Sequence, residues 1–196
     1  MNKTALRRRF AFVLCAASAI RYIAFMEKLP INKEIEEAFG WRALPEQVVA
    51  VSRWADDDDQ LDALSLLGRD WRGLSCAEWN AKSDAIHHFV PAAFAYYLPS
   101  VLTLVAADPA QWLAPTDSIL GMLDRSPTPA YWDDHLLGCF NDLREAEFAA
   151  LANWLLFLAE HPEQTQCDDG TLGRAFDTIE LLRQHFRDLH DIQSAV

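Results

Sequence analysis

The chain has 196 residues, 51% apolar and 23% charged, which are proportions typical of a folded protein with one sizeable core. Its net charge of −12 excludes nucleic acid as a direct ligand, because phosphate binding needs clustered Lys and Arg and these cluster only in the first nine residues. The acidity is compatible with a basic protein partner, and equally with solubility alone. With 7 Gly against 7 Trp and 11 Phe, the composition favours helices.

The first 25 residues form a basic and apolar extension without an acidic residue. An apolar run from Phe10 to Ile20 follows three arginines, and Ala17-Ser18-Ala19 has the small-x-small form of a signal-peptidase site. Three interpretations stay open: a mis-assigned start upstream of Met26, an amphipathic or disordered arm, and a weak export signal or membrane anchor.

The cysteines lie too far apart in the sequence for a CxxC zinc or redox motif. They are Cys15, Cys76, Cys139 and Cys167. Unless the extension is an export signal, the sequence predicts free thiols in a cytoplasmic protein. We expect no metal and no cofactor.

From Asn32 onward, the sequence carries helix signals. Asn32 is predicted to cap a short helix from Lys33 to Phe39 that Gly40 terminates. Pro45 opens a second segment that continues to Trp54.

Four consecutive aspartates, Asp56 to Asp59, precede a leucine-rich stretch. Carboxylates at a helix N-terminus meet the positive end of the helix dipole, so the run predicts a helix start. A partner-facing acidic patch is the alternative, and it makes Asp57 and Asp58 candidate binding residues. A calcium loop is disfavoured because the glycine at its sixth position is missing.

The segment Gly68 to Leu74 is a short loop bounded by glycines. Trp71 is predicted to be buried, and Asp70 is predicted to fix the loop by hydrogen bonding to its backbone. Functional loops have the same composition, so both residues also stay candidates for ligand binding. Ser75 and Glu78 then match a capping box for a helix that starts at Cys76 and closes at His87-His88.

The stretch from Phe89 to Ala107 is uncharged and organises the chain. Pro91 suits the first turn of a helix, whereas Pro99 removes one backbone hydrogen bond and should kink or split it. Nineteen uncharged residues could span a membrane, but two prolines, two tyrosines and the lack of a basic flank favour a buried core helix.

Further helices are predicted in the C-terminal half. Pro115 starts a short one, Leu143 to Glu160 is a helix apolar nearly all round, and Leu172 to Leu189 is amphipathic. The segment Tyr131 to His135 is the nearest approach to a metal-binding cluster, but it lacks further ligands at a suitable spacing. The polar residues His185, Asp188, His190 and Asp191 fit a solvated helix end.

The order and spacing of three blocks resemble a family of uncharacterised bacterial proteins. The blocks are Ile35 to Phe39, Gly68-Arg69-Asp70-Trp71, and Ala92 to Pro99, which contains the sequence Tyr96-Tyr97-Leu98-Pro99. The resemblance covers about residues 33–160. It implies a small soluble helical domain of unknown function, and it assigns no functional residue.

We therefore expect an all-α, compact, single-domain helical bundle over residues 26–196, with a kinked central helix. No phosphate-binding loop, nucleophile elbow or HExxH motif occurs in the sequence. The first hypothesis for function is a non-enzymatic interaction protein of the bacterial cytoplasm, one concrete form being an immunity or antitoxin-like protein. The alternative is an enzyme or small-ligand binder with its site at Trp71, Tyr96 and Tyr97.

Overall fold

A computed structural model describes residues 30–50, 58–108 and 111–194 of the chain, with side chains up to residue 187. The predicted extension, residues 51–54 of the segment after Pro45, and Asp56 and Asp57 lie outside the described residues. Eight α-helices are described: α1 Ile31–Phe39, α2 Asp58–Leu64, α3 Cys76–Ala81, α4 Pro91–Ala107, α5 Ala114–Leu123, α6 Asp134–Asn141, α7 Glu145–Glu160 and α8 Asp169–Ser194.

The fold of the described residues is all-α, as the composition predicts. Short 3-10 helices at Trp71–Gly73, Ser83–His88, Pro129–Tyr131 and Pro162–Gln164 connect the longer elements. Within the described ranges, the only β-type pairing is an isolated antiparallel bridge between Val49 and Phe89. Residues 46–50, where the segment after Pro45 begins, are therefore irregular and not helical.

Helix α4 is the centre of the domain. It packs against α1, α5, α6, α7 and the 3-10 helix Trp71–Gly73. Pro91 occupies its first turn as predicted, and every residue from Ala93 to Leu102 is buried. The helix runs through Pro99 without splitting. None of the helices in the described part of the chain has the length and apolarity that a membrane crossing requires.

Helix α7 covers the central helix together with α1, and α8 packs on α7 and α5. The single polar residue in the apolar part of α7, Asn153, donates a hydrogen bond of 2.6 Å to the Glu34 carboxylate on α1. The Asn153 side-chain amide thus has a hydrogen-bond partner, so it avoids the free-energy cost of an unpaired polar group inside an apolar helix.

Several predicted helix boundaries need correction. Helix α1 begins at Ile31, so Asn32 lies inside it and its side chain accepts a bond from the Lys33 amide. The helix from Cys76 ends at Ala81, and a 3-10 helix continues to His88. Helix α6 was not predicted: the Asp133 side chain caps it by accepting from the Leu136 amide at 2.7 Å.

Candidate functional site

The predicted aromatic site is part of the core. The side chains of Trp71, Tyr96 and Tyr97 are all buried, and the Tyr96 and Tyr97 rings meet edge to face at 4.9 Å. The Tyr97 hydroxyl lies within hydrogen-bonding distance of two carbonyl oxygens, those of Leu66 and Arg69, and its single proton can bond to either. Burial raises the pKa of Tyr97 to about 12, so the hydroxyl keeps that proton.

Trp71 carries one unused donor in this cluster. Its indole N–H has no hydrogen-bond partner among the described residues. The side chain is only 2% exposed, however, and so offers no open surface to a ligand. The geometry around Trp71 is that of a filled core.

Asp70 is exposed beside this core and acts on the backbone. Its carboxylate accepts a bond of 3.0 Å from the Arg72 amide and so caps the 3-10 helix that starts at Trp71. Arg72 in turn pairs with Glu36 at 2.6 Å and lies over the Trp71 ring at 4.3 Å. These contacts among Glu36, Asp70, Trp71 and Arg72 hold the loop against α1. A structural role therefore explains the charged and aromatic residues of the loop without a ligand.

Helix α2 carries an apolar stripe on its outer side. Leu61, Leu64 and Leu67 are 49%, 39% and 50% exposed. Gln60, Ala63 and Leu66, each one position earlier, are the buried residues. The exposed and the buried series each repeat every three residues. They are offset by one position, which corresponds to a rotation of about 100° around the helix axis. The leucines therefore follow one side of α2 and its C-terminal turn, away from the core.

The turn that follows Leu64 places Leu67 in line with Leu61 and Leu64. The Leu66 and Leu67 amides bond to the carbonyls three residues earlier, at 3.1 and 3.0 Å, and residues three apart are aligned in such a turn. Gly68 follows with φ +79, a left-handed conformation that ends the helix. The leucine-rich stretch by itself did not predict this exposure. The signal in the sequence was two series of residues spaced by three, because a helix of this length can turn only one such series toward the core.

Acidic side chains surround the leucine stripe. Asp58 and Asp59 begin α2 and are exposed, as the prediction of a helix start requires, and Asp62 pairs with Lys82 at 3.2 Å. We call Asp58, Asp59, Asp62 and the leucines at positions 61, 64 and 67 the leucine–aspartate face. Of the predicted binding residues, Asp58 lies on this face. Asp57, which precedes it, is outside the described residues.

One Cys–His pair is close in space. Cys139 Sγ lies 3.7 Å from His135 Nε2, one turn away on α6. Nucleophilic catalysis needs a thiolate, but Cys139 is fully buried and burial raises its pKa to about 12. The thiol is therefore protonated and inert, and the pair is a core contact.

The segment Tyr131 to His135 gathers no further ligands. Across the described ranges, no group of three His, Cys, Asp or Glu side chains is placed to hold a metal ion.

Comparisons with known proteins place no constraint on the site. No family model matches the chain, and neither the curated proteins nor the solved structures contain a match. The resemblance noted in the sequence stays a prediction.

Proposed function

We propose that the chain is a non-enzymatic interaction protein of the bacterial cytoplasm that binds a basic protein partner through the leucine–aspartate face. The observation that carries this proposal is the exposure of three leucines in one stripe of a helix that begins with acidic residues. A toxin whose basic surface is masked by this protein is one concrete form of the partner.

Apolar burial supplies affinity at such a face. Fully burying a leucine side chain contributes about 1.5–3 kcal/mol. Since these three are about half exposed, covering them would contribute about 2–4 kcal/mol in total. Among the described elements, helix α2 packs mainly on the 3-10 helix Ser83–His88, and its leucine side is exposed.

The charge selects the partner. The chain carries a net charge of −12, and the face contains Asp58 and Asp59 beside Asp62, whose charge Lys82 offsets. A second copy would bring the same charges to the interface, where like charges repel. A partner that presents apolar side chains flanked by Lys and Arg meets both requirements, because complementary charge accelerates association and suppresses wrong partners.

Capture from native lysate with matched variants tests the proposal. We expect the wild-type protein to retain a basic protein, and Leu61→Ser with Leu64→Ser to retain at least about tenfold less of it. Tyr131→Ser is the matched control, because Tyr131 has a large aromatic side chain that is 80% exposed on a different element. Asp57→Asn with Asp58→Asn should weaken capture and reduce its dependence on salt.

The proposal fails if the leucine variant and Tyr131→Ser retain the same proteins in the same amounts. It also fails if the captured protein is acidic. It fails as well if, in size-exclusion chromatography, the wild-type protein elutes as a dimer and the leucine variant elutes as a monomer.

A further inference from the structure

A cavity of about 470 Å³ lies between the start of α7 and the C-terminal half of α8. Its size falls within the usual range of small-molecule sites. Its lining includes three cations, Arg144, Arg183 and Arg187, the carboxylate of Glu145, and the rings of Phe148 and Phe186. Cations and aromatic rings therefore meet in one cavity of a chain that is acidic overall.

Two phenylalanines form an apolar wall of the cavity. The rings of Phe148 and Phe186 stack with centroids 6.2 Å apart and an angle of 29° between their planes. Phe148 and Phe186 are only 2% and 6% exposed, so a small part of each ring faces the cavity and forms this apolar wall.

Two arginines one turn apart on α8 share a single carboxylate. Arg187 Nη2 donates to Glu145 Oε1 at 2.6 Å, and Arg183 Nη2 donates to the same oxygen. Burial by itself would raise the pKa of Glu145, but the bonds from Arg183 and Arg187 outweigh it and hold the pKa below its ordinary value. Arg183 Nε is buried with no hydrogen-bond partner among the described residues, so donor capacity remains unused.

Arg144 is the third cation. Its guanidinium lies 3.3 Å from the centre of the exposed Trp41 ring, and it forms no ion pair within the described part of the chain. Stacking uses the flat face of a guanidinium and leaves the N–H groups at its edge for a planar anion. Arg144 is thus positioned by an aromatic ring, and within the described ranges its guanidinium has no carboxylate partner.

We propose that this cavity binds a small amphipathic carboxylate, with the apolar body on Phe148 and Phe186 and the carboxylate on Arg144 and Arg187. Guanidinium groups match the planar carboxylate with paired hydrogen bonds. A polyphosphate is disfavoured, because Asp142 and Glu145 would repel a ligand of high negative charge. The proposal is independent of the leucine–aspartate face, which lies on another helix.

The test is a titration of the full chain with 3-phenylpropionate, followed by NMR and calorimetry. We expect saturable binding that 3-phenylpropan-1-ol, which has the same apolar body and no charge, does not reproduce. Arg144→Gln should weaken binding by about tenfold, the effect of losing one charged hydrogen-bonding partner. Glu145→Gln should strengthen it several-fold, because the two arginines then lose their internal carboxylate.

Arg174→Gln is the matched control, because Arg174 is also on α8 but pairs with Asp124 outside the cavity. Binding by this variant should equal that of the wild type. Arg144→Lys keeps the charge without the planar fork, and it should bind more weakly than wild type if the fork is used. The proposal is overturned if wild type shows no saturable binding, if the alcohol binds equally, or if Arg144→Gln binds like Arg174→Gln.

Discussion

Replacing Arg42 by alanine is expected to lower the free energy of unfolding by about 3–5 kcal/mol, because it leaves a buried carboxylate without its counter-ion. Glu147 is fully buried, and the Arg42 side chain is only 9% exposed. Arg42 donates to both carboxylate oxygens of Glu147, at 2.5 and 2.7 Å, and to the Asp142 carbonyl at 2.8 Å. One guanidinium thus joins the end of α1 to α6 and α7.

Urea unfolding of matched variants measures this effect. Arg72→Ala is the control, since the Arg72–Glu36 pair is exposed and such pairs contribute about 0–1 kcal/mol. Replacing Arg42 by Met together with Glu147 by Leu should restore most of the loss, because both charges are then removed. A loss of 1 kcal/mol or less in Arg42→Ala would show that Glu147 does not depend on Arg42.

Two leucine-to-alanine substitutions are expected to differ sharply. Leu98 on α4 is fully buried, so Leu98→Ala should cost about 2–5 kcal/mol through lost burial and the cavity left behind. Leu61 on α2 is half exposed, so Leu61→Ala should cost about 1 kcal/mol or less. The chemical change is identical, and only the burial of the two side chains differs.

Thermal and urea unfolding of the Leu98→Ala and Leu61→Ala variants show whether the leucine stripe contributes to the stability of the fold. A small effect at Leu61 means that the stripe contributes little to the stability of the fold. Equal losses at Leu61 and Leu98 would mean that α2 is buried in the folded protein, and the leucine–aspartate face would then not exist as a surface.

Local chemistry made much of the fold predictable. Ser75 and Glu78 form the predicted capping box, and the bonds from the Ser75 hydroxyl and amide hold the pKa of Glu78 at about 2. Pro91 begins α4, and the apolar composition of α7 required neighbours on all sides. These features depend on residues that are close together in the sequence, so they could be predicted without knowledge of the tertiary structure.

The features that were missed depend on contacts between distant residues. The sequence could not say that Arg42 would meet Glu147, 105 positions later, or that Tyr97 would reach the carbonyl of Leu66. The exposure of Leu61 was hidden because a leucine-rich helix is usually a core helix, and only the tertiary position of α2 decides which stripe is covered. The sequence predicts a buried Trp71, and it is buried; that Tyr97 is buried as well depends on the tertiary fold, so binding stayed open as an alternative for both residues.

The most direct test of the proposed docking face is hydrogen–deuterium exchange of the full chain, alone and with the basic protein recovered by capture. We expect slower exchange at the amides of residues 58–68 on binding, and no such change when Leu61 and Leu64 are replaced by serine. Protection confined to other helices, with residues 58–68 unchanged, would contradict it.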